Sequence, residues 1–259
     1  LALLEVTRVS KRFGGLVAVN EVDVTIEPGE IRGLIGPNGS GKSTLVNLVS
    51  GVYRTDGGEI KLEGRNITNL PAHTISHLHV SRTFQTIRLF GTLSVLENVM
   101  VGFYSQSKTN LTDVILNSPR LAREEAGLRK RAEELLELVE LKPFKDQPGK
   151  SLTLGRQRVL EMARALATEP KLLILDEPAA GMNPSEKEWL VDVIRRINQS
   201  GVSILLIEHH MPVVMALAKR IAVMNFGLKI ADGVPEEIRN NDAVIEAYLG
   251  RREDNAAIS

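Results

Sequence analysis

Apolar and polar residues alternate along the first part of the chain, so residues 3–9 and 18–26 read as strands with one buried face, split by the turn "FGG". "EIRGLIG" (30–36) is a short apolar strand that runs into a glycine-rich loop and then the helix "KSTLVNLVSG". The turn "TDGG" (55–58) precedes a further strand, "EIKLEG". From about 111 to 148 the period changes: "RLAREEAGLRKRAEELLELVEL" has the spacing of a long amphipathic helix with a charged outer face, closed by Pro143 and Pro148. Beyond 150 the elements alternate: helix 155–168, strand "KLLILD", helix 184–199, strand "VSILLIE", and a helix after Pro212. Two continuous apolar strands separated by a helix predict parallel pairing with both faces covered. The pattern therefore predicts an α/β core with a mostly helical insert near 85–150. The last residues, "RREDNAAIS", read as a polar, fraying tail.

Composition narrows the partners. The 259 residues suffice for one large domain or a domain with a sizeable subdomain. Apolar residues make up 43% and charged ones 25%, the ordinary mix of a folded soluble protein. With 32 basic and 32 acidic side chains, no strong field draws the chain to nucleic acid or anionic lipid. The absence of cysteine excludes disulfides, thiolate metal sites and cysteine nucleophiles, and is compatible with the cytosol. No apolar run approaches the roughly 18 residues needed to span a bilayer, and "LALLEVTRVSKRF" lacks a signal-peptide core. Service to a membrane would run through partners. With Leu1 in first place, trimming of one residue or more is expected.

Two motifs carry chemistry. "GPNGSGKST" (36–44) fits G-x-x-x-x-G-K-[ST] between a strand and a helix. Gly36, Gly39 and Gly41 let the backbone curl around Pro37, Asn38 and Ser40 so that N–H groups point at phosphate oxygens. Lys42 is placed to reach the β- and γ-phosphates, Ser43 to ligand Mg²⁺, and Thr44 to add an α-phosphate contact. "LLILDEP" (172–178) is an apolar strand ending in two carboxylates. At the carboxyl edge of a parallel sheet, Asp176 enters the Mg²⁺ shell, and Glu177, facing the other way, polarises a water. "LTLGRQR" (152–158) opens a helix with a glycine and two arginines, a place where backbone amides hold an anion.

Taken in order, "GPNGSGKST", the glutamine of "SRTFQ", "LTLGRQR", "LLILDEP", "AAGMNP" and "LLIEHH" resemble an ABC transporter ATPase subunit over about residues 3–250. The resemblance implies an α/β P-loop NTPase of the ABC ATPase type, with a mixed-sheet core, an antiparallel β subdomain and a mostly helical subdomain insert. Its bounds are a core at about 3–84 and 158–235, the helical subdomain at about 85–157, a C-terminal helix at about 236–250, and the polar tail 251–259. Such ATPases sandwich two ATP molecules between paired chains, each signature segment facing the partner's γ-phosphate. Here the signature is Thr153, Leu154, Gly155 and Arg156, with Leu154 in place of a glycine and Arg156 in place of the usual glutamine. The resemblance further implies adenine stacking on Phe13, Mg²⁺ and γ-phosphate sensing by Gln85, and a switch role for His209. Catalysis falls to Glu177, His209, Gln85 and Lys42, and the metal ligands to Ser43, Gln85 and Asp176. Asn183 replaces the aspartate usual in the dimer-contact loop; His210 also stands where aspartate is common, a change the sequence does not explain.

"SRTFQ", "DEPAAGMNP", the residues added around 105–120 and "IEAYLG" resemble the branched-chain amino acid importer subgroup, in particular the larger of its two ATPases. That implies ATP and Mg²⁺ as cofactors and a second ATPase subunit, identical or related, as a partner. It also implies transmembrane permease subunits, an indirect link to a periplasmic substrate-binding protein, and a peripheral place on the cytoplasmic face of the inner membrane. Urea and short-chain amide importers and the lipopolysaccharide exporter share much of the pattern. DNA-repair and ribosome-associated relatives form a different class, marked by coiled coils, added domains or a second cassette, none of which this balanced-charge chain has; no nucleic acid is expected. His73, His77 and His79 invite a metal reading, since 73 and 77 share a helix face, but no cysteine or carboxylate nearby completes a ligand set, which favours solvated or capping roles.

Overall fold

The two apolar runs pair as their pattern requires. In the computed structural model, which describes residues 1–83, 85–104 and 119–249, strand β7 (Leu172–Asp176) lies parallel to β8 (Ser203–Ile207), register Asp176 to Ile207. Both strands are buried along their whole length, the reason they read as continuous apolar runs rather than alternating ones. They form the centre of a six-stranded sheet of order β10-β9-β3-β8-β7-β6, with β3 at Ile31–Ile35, β6 at Val80–Arg82, β9 at Arg220–Asn225 and β10 at Leu228–Gly233. Only β10 runs antiparallel to its neighbour, so the sheet is mixed.

The alternating N-terminal strands are longer than the pattern predicts: β1 spans Leu4–Phe13 and β2 Leu16–Ile26, leaving a tight two-residue turn. With β4 (Gly57–Leu62) and β5 (Arg65–Asn66) they form a separate antiparallel sheet of order β2-β1-β4-β5. Helix α1 (Lys42–Val49) lies between the two sheets, and Leu45, Val46 and Val49 join Val6, Val24, Leu34 and Leu205 in one core. Each such fully buried side chain is worth roughly 1.5–3 kcal/mol of transfer free energy. Helix α2 (Ala72–His77) follows the antiparallel sheet.

The helical insert contains α3 (Val95–Tyr104) and α4 (Pro119–Leu138), which pack with α5 (Leu154–Leu166) through Val99, Leu136 and Leu160. α5, the helix opened by the signature, thus belongs to the insert's core and to the β7 face alike, because Leu173 and Leu175 share the same cluster. Helix α6 (Pro184–Gln199) covers that face, followed by α7 (Met211–Leu217). Where a single C-terminal helix is expected over 236–250, the chain makes two, α8 (Pro235–Arg239) and α9 (Asp242–Leu249), parted at Asn240 and Asn241. The insert residues 105–118 and the tail 251–259 lie outside the described residues. Among the described residues no helix is long and apolar enough to cross a membrane.

Candidate functional site

The phosphate loop is shaped by contacts that only glycine permits. Gly36 has φ 149°, and a Cβ there would lie 2.1 Å from the Met224 carbonyl oxygen; at Gly41, φ 105°, it would lie 2.4 Å from that of Ala18. β9 and the start of β2 therefore press directly on the loop. The Lys42 ammonium is turned into the loop's curl, where Nζ donates to Gly36 O at 2.7 Å and Pro37 O at 2.9 Å. Burial pushes this lysine below its ordinary pKa, while the carboxylates of Glu177 and Asp176 pull it back up. Ser43 is exposed at the start of α1 and Thr44 half-buried beside it; Asn38 and Gly39 form the exposed tip of the loop.

The end of β7 brings the acidic pair to this loop. Asp176 is buried, and its Oδ2 accepts from Arg82 Nη2 at 2.8 Å. Arg82 also donates to Asn47 Oδ1 at 2.6 Å, tying β6 to α1. Glu177 has φ 49°, a left-handed conformation rare outside glycine and concentrated at functional positions. That turn swings its carboxylate to the side where Gln85 and His209 wait: Gln85 Nε2 donates to Glu177 Oε2 at 3.0 Å, and His209 Nδ1 lies 3.7 Å from Glu177 Oε1. Lys42, Asp176, Glu177, Gln85 and His209, scattered over 168 positions of sequence from Lys42 to His209, thus share one site.

Phe13 closes the β1–β2 hairpin, is 42% exposed, and meets Tyr53 edge-on with ring centroids 5.4 Å apart. The signature residues belong to a different surface. Thr153, at the N-cap of α5, and Leu154 are exposed; Gly155 is buried against α6, where a Cβ would come 3.0 Å from Glu186 Oε1. Leu154 leans on the following loop, its Cδ2 2.8 Å from where a Cβ on Gly181 would sit. The Arg156 guanidinium stacks 4.1 Å above the Phe144 ring, inside its own insert. Asn183 caps α6: its Oδ1 accepts from Glu186 N at 2.9 Å while Glu186 Oε2 accepts from Asn183 N at 3.1 Å, a reciprocal capping box. His210 stands at the N-cap of α7, and nothing in the structure explains why histidine stands there. His79 Nδ1 pairs with the Glu169 carbonyl at 2.9 Å, a local tie between β6 and the end of α5.

Four residues that the sequence did not single out take part. Arg82 holds Asp176, and Tyr53 flanks Phe13. Arg158 bridges two loops, donating through Nε to Ala180 O at 3.1 Å and through Nη1 to Gln85 O at 3.3 Å. Glu208 is fully buried and accepts backbone N–H groups from both sides of the site. Arg82 lay in "SRTFQ" and Glu208 in "LLIEHH" with no cue to these contacts, whereas Arg158 had one, as a cation near a helix start. Along β6, a cleft of about 340 Å³, lined in part by Ser50, Ile75, Arg82, Glu161 and Arg164, opens between strand core and insert.

The donor set suits a small hard cation. A serine hydroxyl, one buried carboxylate and an amide side chain are oxygen ligands of the kind Mg²⁺ takes with few protein groups and substrate phosphates.

Comparison with known proteins gives a consistent picture. The ABC transporter family matches residues 19–180, and the family described as branched-chain amino acid ATP-binding cassette transporter matches residues 229–254. The chain is 43% identical over 249 residues to the high-affinity branched-chain amino acid transport ATP-binding protein BraF of Pseudomonas aeruginosa, covering 96% of this chain and 98% of that one. It is 44% identical, with the same coverage, to the protein LivG of Escherichia coli K12, which carries the same description. Among solved structures it resembles a nucleotide-free ATP-binding cassette from an ABC transporter, with TM-score 0.83 and 30% identity over 97% of this chain and all of that one. A cassette in its ADP conformation matches with TM-score 0.84 and 29% identity, over 97% of this chain and all of that one.

Proposed function

The chain belongs to the ABC transporter family, as an ATPase subunit that couples ATP hydrolysis to transport, and from that premise we propose that it powers the import of branched-chain amino acids. The observation that carries the site assignment is the convergence of Gln85 and His209 on Glu177 beside Lys42. ATP lays its adenine against Phe13, with Tyr53 behind it, and its phosphates in the curl of residues 36–44. Lys42 exchanges the carbonyls of Gly36 and Pro37 for phosphate oxygens. Ser43, Asp176 and Gln85 would hold Mg²⁺, which would supply charge neutralisation to the phosphates.

Glu177 then accepts hydrogen bonds from the attacking water and from Gln85, and His209, beside Glu177, holds the γ-phosphate. Positioning and charge stabilisation do most of the work, as phosphoryl transfer requires. Thr153 and the amides at the start of α5 meet the γ-phosphate held by a second cassette, identical or related. Arg158, bonded to both Gln85 and Ala180, passes closure to the cleft along β6, where a permease subunit docks on the cytoplasmic face of the membrane. A periplasmic binding protein delivers substrate on the other side; nucleic acid has no part in the cycle.

The test is leucine uptake by source cells whose native copy is replaced by Glu177→Gln, paired with ATP hydrolysis by the purified complex. Loss of both is expected. Lost hydrolysis with unchanged leucine uptake would refute the amino acid assignment, and unimpaired hydrolysis would refute the role of Glu177.

A further inference from the structure

Glu208 is a fully buried carboxylate, and the mechanism above does not use it. No lysine or arginine pairs with it among the described residues. Its charge is met by main-chain donors instead: Oε1 accepts from Ala179 N at 2.8 Å, and Oε2 from His209 N at 2.9 Å and His210 N at 3.0 Å. An ionised carboxylate costs several kcal/mol to bury, so a fully satisfied one in a core normally fixes something. What it fixes follows from the sheet. The β7–β8 ladder ends at the pair Asp176–Ile207, with a last main-chain bond from Glu177 N to Ile207 O at 2.9 Å. Beyond that point the two backbones part, one into the loop 177–181, the other into 208–210. Glu208 spans the gap where the ladder stops.

We propose that Glu208 is a positioning residue for ATP hydrolysis, locking the loop that carries Glu177 to the loop that carries His209 so that both side chains face one γ-phosphate. This rests on the hydrolytic site proposed above. The 3.7 Å separation of His209 Nδ1 from Glu177 Oε1 is set by two loops that share no main-chain hydrogen bond past Glu177 and Ile207 other than through this carboxylate's acceptors. Glutamine cannot replace it. Its amide oxygen satisfies one loop, but its NH₂ then faces the N–H donors of the other. The structure thus asks for a carboxylate at 208 although no lysine or arginine accompanies it among the described residues; the His209 imidazole, with Nδ1 3.9 Å from Oε2, lies beside it.

The experiment uses the cassette assembled with its membrane subunits, with phosphate release followed to the floor set by Glu177→Gln. Glu208→Gln, His209→Ala and the double variant are compared. Glu208→Gln is expected to lower kcat about tenfold or more while the KM for ATP moves less than about twofold, because no contact of Glu208 reaches the phosphate loop. The double variant is expected to lose less than the product of the two single losses, since residues acting as a unit are not additive. A Glu208→Gln complex with normal kcat would overturn the proposal. So would losses that multiply in the double variant, or a kcat that falls only in step with the amount of assembled complex. If Glu208→Gln does not assemble, Glu208→Asp, which keeps the charge but shortens the reach, is read by the same criteria. A wild-type complex that fails to hydrolyse ATP would sink the function instead, a distinguishable result.

Discussion

Replacing Arg156 with glutamine, the residue common in related signatures, separates two roles for its cation. In the structure the guanidinium lies 4.1 Å over the Phe144 ring, and both side chains are half-buried. A cation–π contact in that setting is worth about 1 kcal/mol. Against this, Arg156 is the third residue of α5, so its charge sits near the positive end of the helix dipole, an unfavourable contact of about 0.3 kcal/mol. Arginine and glutamine have nearly equal helix propensity, so that contribution cancels. The net expectation is a loss of about 0.7 kcal/mol, or about 1–3 °C in Tm for a chain of this size. The sign should reverse in a Phe144→Leu background, where the stack is already gone and only relief at the helix terminus remains. Differential scanning calorimetry of the four proteins closes the cycle. ATP turnover of Arg156→Gln in the assembled complex should stay within about twofold of wild type. The reasoning is refuted by unchanged stability together with a collapse in turnover, which would mean that the cation leaves Phe144 for the partner's phosphate.

Two further outcomes follow from described contacts. Gly36→Ala must move the Met224 backbone, 2.1 Å from the new Cβ, and should cost roughly 2–4 kcal/mol as well as ATP binding, read by denaturant unfolding and nucleotide titration; a variant of normal stability would contradict the close approach. Burial pushes the Asp232 carboxyl up, but Arg32 and Lys229 outweigh that and hold it below the usual carboxylate value. Its contribution is therefore present above the unfolded value near 3.9 and is lost as pH falls through the lower folded value. Asp232→Asn should be less stable than wild type at neutral pH and converge on it in acid, and parallel pH curves would count against the ion pairs.

The sequence made some elements plain for physical reasons. Leu172–Asp176 and Ser203–Ile207 are buried on both faces, and nothing but a parallel interior strand needs so many consecutive branched residues. The phosphate loop announced itself through glycines that the backbone of Met224 and Ala18 leaves no room to replace. Other parts gave no such signal. β6 has three residues, too few for a period, and it exists because β7 offers it a partner. β9 and β10 are a hairpin with one buried and one half-exposed strand, so neither alternation nor a pure apolar run marks both. The single C-terminal helix that the resemblance implies over 236–250 breaks at Asn240 and Asn241. Arg156 looked like an anion ligand because its target, Phe144, is twelve residues away in a segment read as a helix end. Glu208 resembled any surface acid beside a histidine; its contacts form only when the loop after β7 brings Ala179 N to it.

The contact between Leu154 and Gly181 bears on how this signature came to differ from its relatives. A leucine at 154 fits because position 181, held at φ 77°, has no side chain; an alanine there would strike Cδ2 at 2.8 Å. The two positions are therefore constrained in different ways. Position 181 is tied to glycine by its own left-handed backbone, so a small residue at 154 would remove the clash without freeing 181 to carry a side chain. Leu154 is bound only by space, and being exposed it can turn its methyl away, so the signature tolerates bulk at 154 for as long as the backbone keeps 181 bare.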